Sequence, residues 1–576
     1  LNDNTFAKYV QNLSEPHQDA TGDIPTLLGA PRQYVYAYGT FYPIGAAGRF
    51  EAQWLLFPGR GPGVFRHEEP DWWINQLRSI GKSYMKWQFD YPKKEVDFQN
   101  YRTVIKLGGE KKGDTLQETD TISRLTCGLS SAYMLTGDEA FLDAAEKGVQ
   151  YMRDHMRFYD QDEDLIYWYH GIKMSGDRQI KLLTSEFGDD LYSIPIYEQI
   201  YALTGLTMCY RLTGDPKVMW DIKKTVKIFD RFKDHKGCGY FSHIDPIDFD
   251  PQSPSLEHNC ARKNWNSIGD HAPAYLVSLY LATGDPVYAK FLEETFDCIT
   301  KYFPDFVHSP FVKEKFNVDW SQDRAWLWQQ NRAVIGHNMK IVWNLMRMNS
   351  LKQKEEYIAL AHKIAELMPA AGSDLQRGGW YDMVDREIKP DGKHYRFSWH
   401  DRKAWWQQEQ AILAYLVLHG ITPNEAYLQQ AHESAAFYNA FFLDHDDGGI
   451  YYNVFANGLP YLLQEARFKG SHSIGGYHSM ELCFFAAVYI NLLINKQPMM
   501  FYFKPYPDGF PDNLLRVAPD LLPEGSIHIE ECWIDNNLYF DFDSIGLTVK
   551  LPDSKNRHTV KVKIAPSNGE QRGEKL

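Results

Sequence analysis

Residues Trp399 to Leu413 read WHDRKAWWQQEQAIL, which brings two adjacent tryptophans, a lysine, three glutamines and a glutamate into the first turns of one expected helix. Trp405 and Glu409 are four apart and Trp406 and Glu409 three apart, so helical spacing sets a carboxylate beside aromatic faces. Flat rings suit the C–H faces of a sugar, and amides and charges suit its hydroxyls. The plain alternative is a core helix with a tryptophan pair and a solvated charged edge. Two more stretches put ionisable groups at a helix start. One is Gly336-His337-Asn-Met-Lys340. The other is Arg467-Phe-Lys-Gly-Ser-His-Ser-Ile-Gly-Gly-Tyr477-His478-Ser-Met-Glu481, where His478 and Glu481 are one turn apart. A single histidine at a helix start is more often a structural hydrogen-bonder. Two at analogous places, each beside a glycine turn, favour a group that moves protons near neutral pH.

These stretches need elements to hold them, and the chain from Thr119 supplies a repeat. Thr136-Gly-Asp138, Thr213-Gly-Asp215 and Thr283-Gly-Asp285 recur 77 and 70 residues apart, each between two apolar helical segments. Glycine suits a left-handed helix end and aspartate the next helix start, with proline following in two cases. Weaker echoes at Met348-Asn-Ser350 and Leu418-His-Gly420 bring the expected helical hairpins to five or six over residues 119–496. A second phrase, Asp234-His-Lys-Gly-Cys-Gly-Tyr240, Asp374-Leu-Gln-Arg-Gly-Gly-Trp380 and Asp446-Asp-Gly-Gly-Ile-Tyr451, reads as a glycine turn leading into a short hairpin on one rim. Hairpins with such a rim describe a mainly α protein, an (α/α)6 toroid around a central cleft, with an open solenoid or separate bundles as runners-up.

The expected domains are an irregular extension over residues 1–115 packed on the barrel, a barrel over 116–496, and a small antiparallel β region over 497–576. The extension is punctuated by Pro and Gly and carries one expected helix from about Asp71 to Trp87. The β region follows a Pro/Gly linker at Lys504 to Pro511.

Composition narrows the function. With 44% hydrophobic and 24% charged residues the 576-residue chain is ordinary for a globular protein. Its 15% aromatic content suits a ring-lined cleft. A net charge of −14 argues against nucleic-acid binding and adhesion to an anionic membrane. No run was expected to reach the roughly 18 apolar residues a membrane helix needs, and Leu482–Ile494 reads as a buried helix. Seven scattered cysteines without a CxxC pair suggest neither a disulfide framework nor a zinc site. Their reading is a cytoplasmic protein, with a removed signal peptide left open because the chain starts Leu-Asn. No cofactor and no metal are expected; a small carbohydrate is the expected partner, and a homodimer is left open.

Gly336-His337, Lys403-x-Trp405-Trp406-x-Gln408 and Tyr477-His478, with the Thr-Gly-Asp hairpins and Gly-Gly-aromatic turns, resemble the N-acylglucosamine 2-epimerase superfamily, which includes cellobiose 2-epimerases and mannose-type aldose–ketose isomerases. The resemblance covers roughly residues 119–496. It implies an (α/α)6 barrel and removal and return of a proton next to the carbonyl of an open-chain sugar. It assigns His337 and His478 as acid and base and Arg124, in Ser123-Arg-Leu-Thr-Cys127, as the arginine near the sugar oxygens. Glu409 joins the catalytic set as an orienting partner. Trp405, Trp406, Lys403, Gln408, His271, Tyr477 and Glu481 are the implied substrate contacts. One residue departs from the pattern: the family's usual glutamate three residues after the Gly-His histidine is Lys340 here. A cation cannot accept the imidazole N–H and would lower its pKa.

The rivals use other residues. Glycoside hydrolysis needs two carboxylates, with Glu409, Glu481, Asp382 and Asp385 as candidates. Asp444-His-Asp-Asp447 resembles the acid motif of class II terpene cyclases but reads better as the turn of the repeat. A zinc or iron site would draw on His271, His337, His394, His400, His472 and His478, without supporting spacing. A carbohydrate-binding protein that lost its acid/base set is the non-enzyme alternative, and Lys340 favours it.

Overall fold

The computed structural model describes residues 1, 4–16, 18–31, 33–44, 47–61, 63–113, 115–176, 178–186, 188–324, 331–463 and 467–567. The polar tail beyond Ser567, expected to be loose, lies outside them. The N-terminal region contains the short helix α1 (Ile24–Gly29), a three-stranded sheet of residues 6–9, 36–44 and 47–57, and the long helix α2 (Trp72–Phe89). The helical hairpins follow. They pair α3 (Thr119–Thr136) with α4 (Glu139–His155) and α5 (Ile196–Thr213) with α6 (Pro216–Phe232). Next, α7 (Trp265–Ile268) and α8 (Val277–Thr283) together pair with α9 (Pro286–Tyr302). Then α10 (Ile335–Leu351) pairs with α11 (Glu355–Gly372), α12 (Trp405–Ile421) with α13 (Glu425–Phe441), and α14 (Tyr477–Val488) stands last.

The first helices of the hairpins lie side by side. α3 packs on α5, α5 on the broken α7–α8 helix, α10 on α12, α12 on α14, and α14 returns to α3. These helices are buried on nearly every face, as α5 and α12 show, whereas α4, α6 and α9 keep a solvated stripe and form the outer layer. The outer neighbour of α14 is α2, which packs on both α14 and α3, so the N-terminal region supplies the last pair. α3 and α5 come so close at Gly205 that a Cβ there would lie 2.5 Å from the Ser123 carbonyl oxygen.

The Thr-Gly-Asp joints work as their residue types require. Gly137, Gly214 and Gly284 adopt φ of 66°, 65° and 67° and end their helices in the left-handed region. The Asp138, Asp215 and Asp285 carboxylates then accept N–H bonds from Ala140, Lys217 and Val287 in the helices that follow.

On the rim, the expected local hairpins give way to longer-range ribbons. The strand ahead of each inner helix pairs with the strand that follows the outer helix of the same hairpin. Five such ribbons form, 116–118 with 171–173, 194–195 with 243–244, 263–264 with 315–316, 332–334 with 383–385, and 403–404 with 453–454. Pairing across a whole hairpin fixes where each inner helix begins, which is where the candidate side chains stand.

Buried lysines then tie one hairpin to the next. Lys263, Lys403 and Lys469 sit just ahead of the site-bearing turns and bond Asp234, Asp374 and Asp444 at 2.5, 2.9 and 2.7 Å. The acid of the third glycine turn is therefore Asp444 rather than Asp446. It also accepts the Asp446 and Asp447 N–H groups, so its carboxylate belongs to the turn. Cys238 and Cys298 form a disulfide between the first glycine turn and α9, a link the scattered cysteines did not announce. α14 runs into a π-helical turn. Tyr477–Ile494 is thus an 18-residue apolar helix, long enough to cross a membrane but 89% buried in the ring, longer than the run expected from sequence.

The C-terminal strands form a four-stranded sheet (499–503, 560–566, 527–534, 537–539) and a three-stranded one (514–516, 548–550, 542–543). This region packs against the ends of inner helices away from the rim. Asp520 is buried against Arg347 of α10 at 2.6 Å and against the Tyr489 hydroxyl at 3.0 Å, and Arg211 of α5 donates to the Pro519 carbonyl at 2.9 Å.

Candidate active site

The rim ribbons surround a cavity of about 410 Å³, in which Arg124, His337, His478, Trp405 and Trp406 stand together as the sequence anticipated. His337 is the third residue of α10 and His478 the second of α14. The Trp406 indole, near the start of α12, lies beside both imidazoles, with ring centroids 5.3 Å from His337 and 5.7 Å from His478. At the mouth the Arg402 guanidinium bonds Asp382 at 2.6 Å and covers the exposed Trp399 ring at 3.9 Å.

Each histidine is held by a carboxylate. His337 Nδ1 is 2.6 Å from Glu314 Oε2, and the other oxygen of Glu314 accepts the Val334 N–H at 2.8 Å. His478 Nδ1 is 3.1 Å from Glu481 Oε2. Glu481 is held in turn by the Gln410 amide and the Tyr477 hydroxyl, at 3.1 and 3.0 Å. A carboxylate on Nδ1 sets the imidazole tautomer so that Nε2 carries the basic lone pair. Burial lowers the His478 pKa to about 4, with Lys340 and Arg124 adding to the drop and Glu481 opposing it, so this imidazole is neutral at neutral pH.

Lys340, one turn beyond His337, lines the same cavity. Its Nζ bonds Asp270 Oδ1 at 2.7 Å and the Tyr201 hydroxyl at 3.1 Å. Arg124 is fixed by Tyr197 and Asp120, with its guanidinium 3.8 Å above the Tyr201 ring. The cations Arg124, Lys340 and Arg402 each have a carboxylate partner, so the cavity offers polar anchors with little net charge.

Five implied substrate contacts, and Glu409 of the implied catalytic set, have other roles. Lys403 is wholly buried, and its Nζ is spent on Asp374 and the Gly378 and Ala456 carbonyls. Gln408 clamps the main chain of Trp380, accepting its N–H at 2.8 Å and donating to its carbonyl at 2.7 Å. Glu409 faces away from the cavity, between the Tyr438 and Ser479 hydroxyls at 2.6 Å each, and burial raises its pKa to about 8. His271 lies among Phe229, Tyr240 and Phe291, its pKa lowered to about 3 by burial. It is displaced because Pro273, which lacks an N–H, falls in a π turn at Ala272–Leu276, and Asp270 is left to face the cavity. Tyr477 and Glu481 sit behind the wall and act on the site through Arg124 and His478.

Glu314, Asp270, Tyr197, Tyr201 and Asn266 escaped the sequence reading. Glu314 has no motif around it, and the Asn266–Asp270 pair is a four-residue helical spacing that could have been noticed beside His271.

Ligand-type atoms of Glu118, Asp120 and His472 lie within 4.8 Å of one another beside the cavity. His170 joins them, bonded to Glu198 at 2.7 Å and 3.7 Å from Glu118. Burial alone would lower both imidazoles, but Glu198 and Glu118 raise His170 to about 9 and Glu118 raises His472 to about 9. In their protonated form these imidazoles balance the neighbouring carboxylates.

A family model described as N-acylglucosamine 2-epimerase (GlcNAc 2-epimerase) matches residues 109–479. A cellobiose 2-epimerase of Bacteroides fragilis is 21% identical over 359 residues, covering 58% of this chain and 79% of the relative. The structure of cellobiose 2-epimerase from Bacillus thermoamylovorans B4167 shares the fold with a TM-score of 0.57 at 17% identity, over 72% of this chain and 98% of that one. A D-mannose isomerase structure does so with a TM-score of 0.56 at 18% identity, over 71% and 96%. With well over half of its length matched by the family model, the chain belongs to the N-acylglucosamine 2-epimerase family.

Proposed function

We propose that the protein is a carbohydrate 2-epimerase or aldose–ketose isomerase built on an (α/α)6 barrel, and that it acts by proton transfer at the carbon beside the carbonyl of an open-chain sugar. The observation that carries this reading is the pair of imidazoles, each with Nδ1 on a buried carboxylate, at one aromatic-walled cavity. One imidazole takes the C2 proton through Nε2, and an enediol forms. Return to the opposite face of C2 gives the epimer, and return to C1 gives the ketose. Arg124 stabilises the charge that develops on oxygen. Trp405 and Trp406 carry the C–H faces of the sugar. His478 enters the reaction neutral, the form that can accept a proton.

The chain's membership of an epimerase family supports the same class. A volume of about 410 Å³ accommodates a hexose unit and leaves open whether a second unit extends past the mouth. The experiment is incubation in D2O with a panel of free hexoses, N-acylhexosamines and β-linked disaccharides, read by NMR. Deuterium should enter at C2 of at least one of them. No exchange across the panel sinks the reading, and release of new reducing ends would replace it with hydrolysis.

A further inference from the structure

Lys340 and Lys403 are both buried lysines near the rim, and they spend their N–H groups differently. Lys403 spends all three of its N–H groups on Asp374, Gly378 and Ala456 and is not among the residues lining the histidine cavity, so it is a structural tie. Lys340 spends two, on Asp270 and Tyr201, and lines the cavity that holds both histidines. An ammonium has three donors, so one remains for a ligand oxygen. The position is over-determined. Asp270 Oδ1 takes the Lys340 bond, its Oδ2 takes the Asn266 amide at 3.0 Å, and Tyr201 is fixed beneath the Arg124 guanidinium. A buried ion pair adds little net stability, which makes one kept in a cavity wall a candidate for function.

We propose that Lys340 is a catalytic electrophile of this site, donating its remaining N–H to the sugar oxygen that becomes negative when C2 loses its proton. The inference rests on the epimerase or isomerase reading. The C2–H bond breaks and its proton passes to an imidazole Nε2. The electron pair forms the C1–C2 double bond, and the carbonyl pair moves onto oxygen. That oxygen lies between Lys340 and Arg124, two cations held in advance by Asp270 and Asp120. Lys340 therefore supplies to the oxygen what a carboxylate at this position could not. Lys340 and Asp270 form one ion pair in the cavity wall.

The test uses the full chain with two probes, an aldonohydroxamate, whose planar anion imitates the enediolate, and the alditol of the same length, which is neutral. Wild type should bind the hydroxamate at least tenfold more tightly by calorimetry. Lys340→Gln should lose roughly 10- to 100-fold in hydroxamate affinity while alditol affinity changes less than about threefold, and its kcat should fall roughly 10²- to 10³-fold with KM little changed. Lys340→Arg should restore part of the hydroxamate preference. If Lys340→Gln does not fold, the double variant Lys340→Gln/Asp270→Asn removes both charges and leaves neither unpaired, with the same losses expected. A wild type that exchanges C2 hydrogen while the variants keep both kcat and the hydroxamate preference overturns this inference alone. A wild type with no C2 exchange and no hydroxamate preference overturns it together with the reading it rests on.

Discussion

Replacing Glu314 by glutamine should cripple proton transfer while leaving the fold intact, and the local geometry says why. One Glu314 oxygen accepts the Val334 N–H at 2.8 Å and the other faces His337 Nδ1 at 2.6 Å. Glutamine has one oxygen, and the Val334 N–H at the start of α10 requires it. The amide nitrogen is then left facing His337 and can only donate. Nδ1 becomes the acceptor, the ring proton moves to Nε2, and Nε2 loses the lone pair that would take the C2 proton. Loss of the correct tautomer in an acid/base imidazole costs roughly 10²- to 10⁴-fold in kcat. KM should stay within about threefold and the melting temperature within a few degrees, because both hydrogen bonds persist in altered form. Steady-state kinetics give the rate, and ¹H–¹⁵N NMR of the imidazole reports which nitrogen carries the proton. An unchanged rate, or a proton still on Nδ1 in the variant, would refute the argument.

Glu409→Gln should behave in the opposite way, with activity retained, because its carboxyl is buried between Tyr438 and Ser479 outside the cavity. Its pKa rises from an unfolded value near 4.3 to about 8, so the folded state holds the proton more tightly. The stability it contributes is full below pH 4.3 and declines as pH rises through 8. Denaturation curves across that window should show the slope in the wild type and a reduced one in the variant. Lys403→Met should leave the buried Asp374 carboxylate with only the exposed Arg377, 3.8 Å away, as a cationic partner and cost about 3–5 kcal/mol in denaturant titrations, with the kcat of the folded fraction unchanged. For His478, a pKa of about 4 places the acid limb of kcat/KM governed by this group well below the 6.5 of a free imidazole, and a limb at 6.5 that His478→Asn abolishes would contradict its burial.

What could be read from the sequence is what is encoded locally. Thr136-Gly-Asp138 and its two counterparts cap helices through bonds two residues apart, so their spacing carries the hairpins directly. His337 and His478 were legible because a glycine turn and a helix start mark the rim. Lys403 and Gln408 were misread because their partners, Asp374 and Trp380, lie almost thirty residues away, and a polar side chain beside a tryptophan pair looks the same whether it serves a ligand or the backbone. His271 lost its place to Asp270 through a π turn that shifts the helix face. Glu314 was silent for a related reason, since it meets His337 only through the pairing of separate rim segments. The three glutamines of the opening stretch prove to be bracing. Gln407 bonds the Gly336 N–H, Gln408 the Trp380 main chain, and Gln410 the Glu481 carboxylate that holds His478.

The central claim is that His337 and His478 are the two groups that move the C2 proton, and single-histidine variants test it most directly. His337→Asn and His478→Asn, each incubated in D2O with each of the two C2 epimers or with aldose and ketose separately, should exchange the hydrogen on the reacting carbon (C2 of an aldose, C1 of a ketose) of one partner only. The favoured partner should reverse between the variants, and neither should interconvert the pair at more than roughly a thousandth of the wild-type rate. Exchange of both partners at wild-type rates in either variant would contradict the account.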